Sequence, residues 1–228
     1  MSLGTKRIIF WIFWLLIVLS GPITVIRNSD LRNTFANTVV LTNFFQRMTG
    51  LLAFSLLFIQ IILGSWMGRW LQIIGAKAYK IHITQGLVIY LLMLIHPLFE
   101  NAIVYLVSKN IIDALYVFIP SLGTERAILL VFGRTAFLLA TIAVIASYFR
   151  TKPFFRRNWQ AFHILNYLVF ILIFIHMRLG TDIVSPPFVW VSWIALIGVL
   201  FSLVHRFLYP LLPKSIFQRG TDIKEQKA

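Results

Sequence analysis

Long apolar runs separated by short basic or polar segments form the main pattern of this 228-residue chain. Five of the runs contain no charged residue, and a sixth is interrupted only by Arg134. Each run is 19 to 23 residues long, which is the length that an α-helix needs to cross about 30 Å of hydrocarbon. The pattern therefore predicts six transmembrane helices. They cover residues 8–26, 48–68, 81–99, 127–149, 158–177 and 183–205.

The segments between the runs predict how the chain is divided. Pro97 and Glu100 are predicted to end the third helix, because proline removes a helical hydrogen bond. The longest connection, residues 101–126, contains NIIDALYVFIP, which is too short to span and is typical of a helix at the membrane interface. The predicted fold class is an all-α integral membrane bundle of six helices. Residues 1–208 form this domain, and residues 209–228 are predicted to be a short cytoplasmic tail.

Lysine and arginine are unevenly divided between the two sides of the predicted bundle. If the N-terminus is cytoplasmic, the cytoplasmic segments hold 14 of these residues and the opposite segments hold 7. Five of the seven acidic residues fall on the opposite side. Cytoplasmic loops carry such an excess of positive charge, so both termini are predicted to be cytoplasmic. We expect a multi-pass protein of a bacterial plasma (inner) membrane.

Composition narrows the classes of function. The net charge of +14 follows from the basic cytoplasmic loops, which also attract anionic membrane lipid. It therefore requires no nucleic acid partner, and none is predicted. The chain has no cysteine, which excludes disulfides and cysteine-ligated iron–sulfur clusters within it.

Histidine is the residue type whose placement points to a chemistry. Of five histidines, the predicted third helix carries His82 and His96, and the fifth carries His163 and His176. The helical rise separates the two positions by about 21 Å on the third helix and about 20 Å on the fifth. Because both helices run from inside to outside, His82 and His163 form an inner layer. His96 and His176 form an outer layer at matching depth.

Two layers of histidines on two helices suit two stacked hemes. A heme iron takes axial ligands on opposite faces of a flat ring, and neutral imidazole is a common choice. One histidine from each helix would clamp each heme. Two such hemes, about 20 Å apart by the helix rise, can carry electrons across most of a bilayer. The alternative, hydrogen-bonded polar contacts between helices, is less favoured for four histidines that are paired by depth.

The angular positions of the histidines agree for one helix only. Fourteen steps of about 100° leave His82 and His96 about 40° apart, on one face. Thirteen steps leave His163 and His176 about 140° apart, so helix tilt or a π-bulge is needed to aim both at one seam. His205, near the inner end of the sixth helix, has no partner at this spacing and is interpreted as an interfacial residue.

Several neighbouring residues suit a heme site. Gly86 lies one turn after His82, where a missing side chain lets a ring approach, and Tyr167 offers an apolar face. Arg47 and Arg134 are candidates to pair with outer heme propionates, and the position of Arg134 inside an apolar run favours a function. Snorkelling to the interface is the alternative for each cation. The inner candidates are Lys80, Arg156 and Arg157.

The pattern resembles the ferric reductase-like transmembrane domain, the superfamily of the NADPH oxidases, the eukaryotic ferric reductases and the heme-binding subunit of the bacterial methionine sulfoxide reductase system. That family has six helices, with H-x13-H on the third and H-x12-H on the fifth, and both spacings match here. The resemblance covers about residues 8–208. Also similar are R-x-x-G (Arg47, Gly50), H-x3-G (His82, Gly86) and W-x3-H-x3-Y (Trp159, His163, Tyr167).

This resemblance implies a transmembrane electron-transfer protein with two heme b groups. Electrons would enter from a cytoplasmic reduced flavin or flavoprotein, or from quinol, and leave to an acceptor on the outer side. The implied acceptors are ferric iron, oxygen, quinone or a periplasmic reductase. A partner would supply FMN or FAD, and the basic inner loops would attract an acidic flavoprotein or an anionic flavin.

The chain departs from the NADPH oxidases and ferric reductases after the sixth helix. Those proteins continue into FAD- and NADPH-binding domains, whereas about 20 residues follow here and no glycine-rich dinucleotide fingerprint occurs. We therefore expect an oxidoreductase electron-transfer component without its own FAD/NADPH domain, either a separate heme subunit or a piece of a longer chain. The methionine sulfoxide reductase subunit is similar in size but often keeps fewer of the four histidines.

Two other functions stay open at the level of sequence. A quinol-linked cytochrome b also uses histidines about one membrane apart, but its pairs lie on the second and fourth helices with equal spacing. A membrane transporter or scaffold without heme would use the histidines as polar contacts. Transporters often show broken helices or inverted repeats, and neither is visible here.

Overall fold

The computed structural model describes residues 1–208, apart from the side chains of Trp159, Gln160 and Leu208. The predicted tail at 209–228 and the side chain of the motif residue Trp159 lie outside the described part. Nine α-helices and two 3-10 turns, Met177–Leu179 and Thr181–Val184, make up the described fold. The helices are α1 (Leu3–Arg27), α2 (Leu31–Ala36), α3 (Thr38–Ser65), α4 (Met67–Ile74), α5 (Lys77–Ser108), α6 (Ile111–Tyr116), α7 (Glu125–Tyr148), α8 (Pro153–His176) and α9 (Phe188–Leu208).

Six helical segments are long and apolar enough to cross a membrane, as the hydrophobic pattern predicts. Their positions along the chain match the six predicted runs, and this confirms the all-helical, multi-pass class. The segments are Leu3–Arg27, Thr38–Ser65, Lys77–Ser108, Glu125–Tyr148, Ala161–Leu179 and Phe188–Phe207.

Helix α3 lies at the centre of the bundle. Its side chain Phe54 is 1% exposed and packs against Phe170 of α8 and Phe188 of α9, with ring centroids 5.0 and 5.6 Å apart. On another face, a Cβ added to Gly21 of α1 would lie only 2.7 Å from the Cβ of Leu51. Small residues let membrane helices approach closely in this way. The central helix therefore has neighbours on several sides.

The predicted end of the third span at Pro97 is wrong. Helix α5 continues through Pro97 as far as Ser108, and Lys109 then ends it in a left-handed conformation with φ of 57°. Proline removes only one backbone donor, and the helix on both sides of Pro97 remains α-helical. The loss of that one hydrogen bond is therefore not enough to end the helix here.

Several helices begin earlier than the apolar runs indicate, and α3 and α8 show why. Helix α3 starts at Thr38 because the side chain of Asn37 caps it, accepting from the amides of Val39 and Val40. Helix α8 starts with Pro153 in its first turn, a position that tolerates proline. The predicted interfacial segment does contain a helix, α6. Hydropathy alone assigns the first turns of α3 and α8 to loops, because these turns contain polar and basic residues.

The two ends of the bundle differ in charge. One end, called the basic end below, contains the start of α5 and α8 and carries lysines and arginines but no carboxylate of the described residues. The other, called the mixed-charge end, carries arginines together with all five described carboxylates. These are Asp30, Glu100, Asp113, Glu125 and Asp182.

Candidate cofactor-binding site

Four histidines meet as two pairs between α5 and α8. In the first pair, His82 and His163 have ring centroids 5.9 Å apart and ring planes at 59°. In the second pair, His96 and His176 have centroids 6.2 Å apart and planes at 90°. The structure therefore brings together the residues that the sequence pairs by depth.

Both pairs have the separation that one shared metal ion requires. A bond from a metal to an imidazole nitrogen is roughly 2 Å long, and the ring centre lies roughly 1 Å further, so two opposed imidazoles place their centres roughly 6 Å apart. The observed 5.9 and 6.2 Å agree with this value. Among the described residues, no group of three or more His, Asp or Glu forms a larger metal cage. Each site thus offers two nitrogen ligands.

Helix α8 accommodates the expected angular separation of about 140° between His163 and His176 without a π-bulge in its described residues. Helix α8 is α-helical from Pro153 through His176. Each of its two histidines still reaches its partner on α5. Side-chain torsions and the crossing of the two helices therefore supply the correction.

Hydrogen bonds fix the orientation of the second pair. The Nδ1 of His96 lies 2.9 Å from the carbonyl oxygen of Gln46, and the Nδ1 of His176 lies 2.8 Å from that of Leu129. A carbonyl can only accept, so each Nδ1 carries the proton. This leaves Nε2 of both rings with a free electron pair, the form in which histidine binds metals.

The first pair has a different environment. The Nδ1 of His82 is buried and has no hydrogen-bond partner among the described residues. The side chain of Gln60 donates instead to the backbone carbonyl of His82, at 2.7 Å. The tautomer of His82 is therefore not set by a bond of the kind that holds the second pair.

Each pair lines its own cavity. The cavity at the second pair has a volume of about 620 Å³ and that at the first pair about 550 Å³. Both fall in the range of roughly 300–1,000 Å³ that is usual for cofactor and small-molecule sites. Met93 of α5 lines both cavities, so it lies where they approach each other. The spacing could have identified Met93, because it lies eleven residues after His82 and shares its helical face.

Gly86 and Tyr167 both line the first cavity. A Cβ on Gly86 would lie 3.0 Å from the side-chain nitrogen of Gln60, so the glycine makes room for Gln60. The hydroxyl of Tyr167 lies 2.7 Å from that of Ser65 on α3. Tyr167 therefore links α8 to the central helix with its ring at the cavity wall.

Arg47 lines the second cavity, where it forms a buried ion pair. Its Nε and Nη2 donate to the two carboxylate oxygens of Asp182, each at 2.6 Å. Asp182 is 2% exposed and also accepts from Asn28 at 2.8 Å. A third donor, Nη1 of Arg47, reaches the hydroxyl of Ser29 at 3.3 Å. Sequence reasoning missed Asp182, because an acid in a connection carries no spacing signal.

Arg134 also lines the second cavity, and its guanidinium holds a neighbouring segment. It donates to the backbone carbonyls of Val117 and Ile119, which follow α6. Val117 contributes to the wall of the same cavity. The charge of Arg134 thus has polar partners, and its role as a site residue stays a prediction.

The cations at the first cavity are not the predicted ones. Arg150 and Arg206 line it, whereas Lys80, Arg156 and Arg157 are not among its described lining residues. The Nη1 of Arg150 donates to the hydroxyl of Tyr79 at 2.7 Å. The difference arises because α8 begins at Pro153 and places Arg156 and Arg157 on its exposed first turns.

His205 lies away from both pairs. Its ring is near those of Trp66 and Phe201, at centroid distances of 5.9 and 6.4 Å. This position near the end of α9 agrees with the interpretation of an interfacial residue.

Comparison of the chain with family models, with curated proteins and with solved structures gives no match. The resemblance to the ferric reductase-like domain therefore stays a prediction that rests on the motifs of the sequence.

Proposed function

We propose that this protein is a di-heme b-type transmembrane electron-transfer protein of the ferric reductase-like class. One observation carries the proposal: two imidazole pairs, with ring centres 5.9 and 6.2 Å apart, line separate cavities at two levels of one helix bundle. Polar contacts between helices would not require the two pairs to have the same ring separation, whereas two histidines that bind one iron would.

The residues present fit the heme group in ligand type and in space. His82 and His163 would ligate one heme, and His96 and His176 the other. When bound, the two hemes supply reversible one-electron oxidation and reduction of iron. With two histidine nitrogens holding each heme, the iron would have no open position, and this would favour electron transfer over ligand binding.

The chain's own groups prepare each site for this role. The carbonyls of Gln46 and Leu129 keep the protons of the second pair on Nδ1, which leaves Nε2 of both rings free to bind a metal. Arg134 at the second cavity and Arg150 and Arg206 at the first are available to pair with carboxylate groups of the cofactor. The apolar side chain of Met93 lies between the two cavities.

The charge asymmetry supports a direction across the membrane. We assign the basic end to the cytoplasm, with both termini there, following the positive-inside rule. Its lysines and arginines favour an anionic flavin or an acidic flavoprotein as the electron donor. The acceptor would act at the mixed-charge end as ferric iron, oxygen, quinone or a periplasmic reductase. A bacterial plasma membrane is the proposed location.

The test is an absorption spectrum of the detergent-purified protein, air-oxidised and then reduced with dithionite, with heme quantified per chain. We expect two b-type hemes with sharp low-spin bands on reduction. A protein that binds no heme after reconstitution would overturn the proposal and favour a transporter or scaffold. Comparing a reduced flavin with a quinol as reductant separates the proposed donor from that of a quinol-linked cytochrome b.

A further inference from the structure

Three of the four paired histidine rings lie against a glycine of a neighbouring helix. A Cβ added to Gly50 of α3 would lie 2.8 Å from Cε1 of His96, and one added to Gly133 of α7 would lie 2.7 Å from Cε1 of His176. Non-bonded carbon atoms are in optimal contact at about 3.5–4.0 Å. An alanine at Gly50 or Gly133 therefore cannot coexist with the present ring positions. Gly64 has the third contact, with a Cβ distance of 3.2 Å to Cε1 of His82.

The hydrogen bonds of the second pair show the same geometry twice. Gln46, whose carbonyl accepts from His96, lies four residues before Gly50. Leu129, whose carbonyl accepts from His176, lies four residues before Gly133. In an α-helix the amide of residue i donates to the carbonyl of residue i−4. The glycine thus lies beside the very carbonyl that the imidazole reaches.

This coincidence has a steric explanation. A helical carbonyl has a second lone pair, but a side chain on the following turn crowds the approach to it. With glycine there, the edge of an imidazole formed by Cε1 and Nδ1 can lie flat on the helix backbone. Nε2 then lies farther from the glycine than Nδ1 does. At Gly50, the distances from the added Cβ rise from 3.1 Å for Nδ1 to 3.6 Å for Nε2 of His96.

We infer that Gly50 and Gly133 are positioning residues that set the tautomer and the direction of the second histidine pair. They act by leaving the carbonyls of Gln46 and Leu129 open to Nδ1. The arrangement occurs independently between α3 and α5 and between α7 and α8, which speaks against a chance contact. The inference rests on the proposed function in one respect: Nε2 is taken as the atom that binds the cofactor.

Alanine at either position should alter the site and leave the fold in place. The atoms that clash at Gly50 and Gly133 are ring atoms of a side chain, so the ring can move while both helices stay where they are. Gly21 is different, since its added Cβ would meet the Cβ and the backbone of Leu51. Gly68 offers a matched control, because nothing lies within 4 Å of its added Cβ.

The experiment compares Gly50→Ala and Gly133→Ala with Gly68→Ala and the unchanged protein, all as full chains in detergent. The first readout is the heme titration of each protein. We expect affinity at one of the two sites to fall roughly 10- to 100-fold in either of the first two variants, the usual effect of losing a hydrogen bond to a metal-ligating histidine. Gly68→Ala should titrate like the unchanged protein. Equal titrations of all four proteins would overturn the inference.

The second readout needs no heme. Nitrogen-15 NMR of the histidine-labelled, heme-free protein reports which ring nitrogen carries the proton, and His96→Ala and His176→Ala assign the signals. We expect His96 and His176 to be protonated at Nδ1 and hydrogen-bonded. Protonation at Nε2 in either residue would overturn the inference. The same spectra of Gly50→Ala and Gly133→Ala should show loss of the Nδ1 form at the affected histidine. If the unchanged protein binds no heme but shows the Nδ1 form, and the two alanine variants lose it, the proposed function fails while the role of the glycines in setting the tautomer stands.

Discussion

The two histidine pairs have the same ligand chemistry but different support. In the second pair, both rings are held by backbone carbonyls, and both lie against a glycine so closely that a methyl group would collide. In the first pair, the Nδ1 of His82 has no hydrogen-bond partner among the described residues, and the glycine contact is looser. Equal spacing along the sequence thus does not imply equal preorganisation.

The ends of the bundle explain part of this difference. At the mixed-charge end, Gln46 offers its backbone carbonyl to His96 and its side chain to Glu100, at 2.8 Å. Glu100 in turn accepts from Arg126 at 2.6 Å. At the basic end, no described carboxylate is present to build such a network. The second pair therefore lies in a polar scaffold that ties several helices together.

The largest expected effect follows from removing one ligand of each pair. His96→Ala and His82→Ala should each lower the heme content from about two to about one per chain, because an iron left with one axial ligand is held weakly. His205→Ala is the matched control, and it should keep both hemes. The measurement is heme per chain with the reduced spectrum. If both ligand variants keep full heme content, the two pairs are not the cofactor sites.

The next effect concerns the scaffold of the second pair. Asp182→Asn leaves Arg47 without its ionic partner, and since their side chains are only 3% and 24% exposed, we expect a loss of about 3 kcal/mol in the free energy of unfolding. Glu125→Gln is the control. Its pair with Arg178 is 3.8 Å long and largely exposed, so its loss should cost less than about 1 kcal/mol.

Unfolding of the heme-free protein in detergent, followed by circular dichroism, measures both scaffold variants. Heme titration of the same proteins shows whether the damage stays at one site. We expect Asp182→Asn to weaken the second site and to spare the first. A similar loss of stability in both variants would show that the buried pair adds nothing to the scaffold.

A smaller effect tests the looser contact of the first pair. Gly64→Ala places a Cβ at 3.2 Å from the ring of His82, which a shift of a few tenths of an ångström relieves. We expect its heme affinity to fall less than that of Gly50→Ala, where the distance is 2.8 Å. Heme titration of the two variants side by side gives the comparison. A larger loss in Gly64→Ala would mean that the first pair is the more constrained of the two.

The smallest effect concerns the cations of the basic end. Arg150→Gln removes one positive charge from the wall of the first cavity, so reduction by an anionic flavin should slow a few-fold at low ionic strength and less in high salt. Arg178→Gln, at the mixed-charge end, is the control and should leave the rate unchanged. Stopped-flow reduction at several salt concentrations measures both. Equal rates in the two variants would argue against electron entry at the basic end.

Hydropathy predicted the six spans well, and their ends less well. Apolar length is a property of the segment itself, so each span could be placed from its own residues. The ends depend on further features of the chain. Asn37 caps α3 and extends it beyond its apolar run, and α5 continues through Pro97 as far as Ser108. Neither effect is visible in the hydropathy of the segment.

The sequence by itself determined the number of spans, the depth of the four histidines and the uneven charge of the two ends, because rise per residue and composition belong to a single helix. The tertiary structure alone decided what each histidine touches. The 140° between His163 and His176, the carbonyl of Leu129 and the contact with Gly133 are relations between different helices. Such relations depend on how neighbouring helices cross and on how closely small residues let them approach.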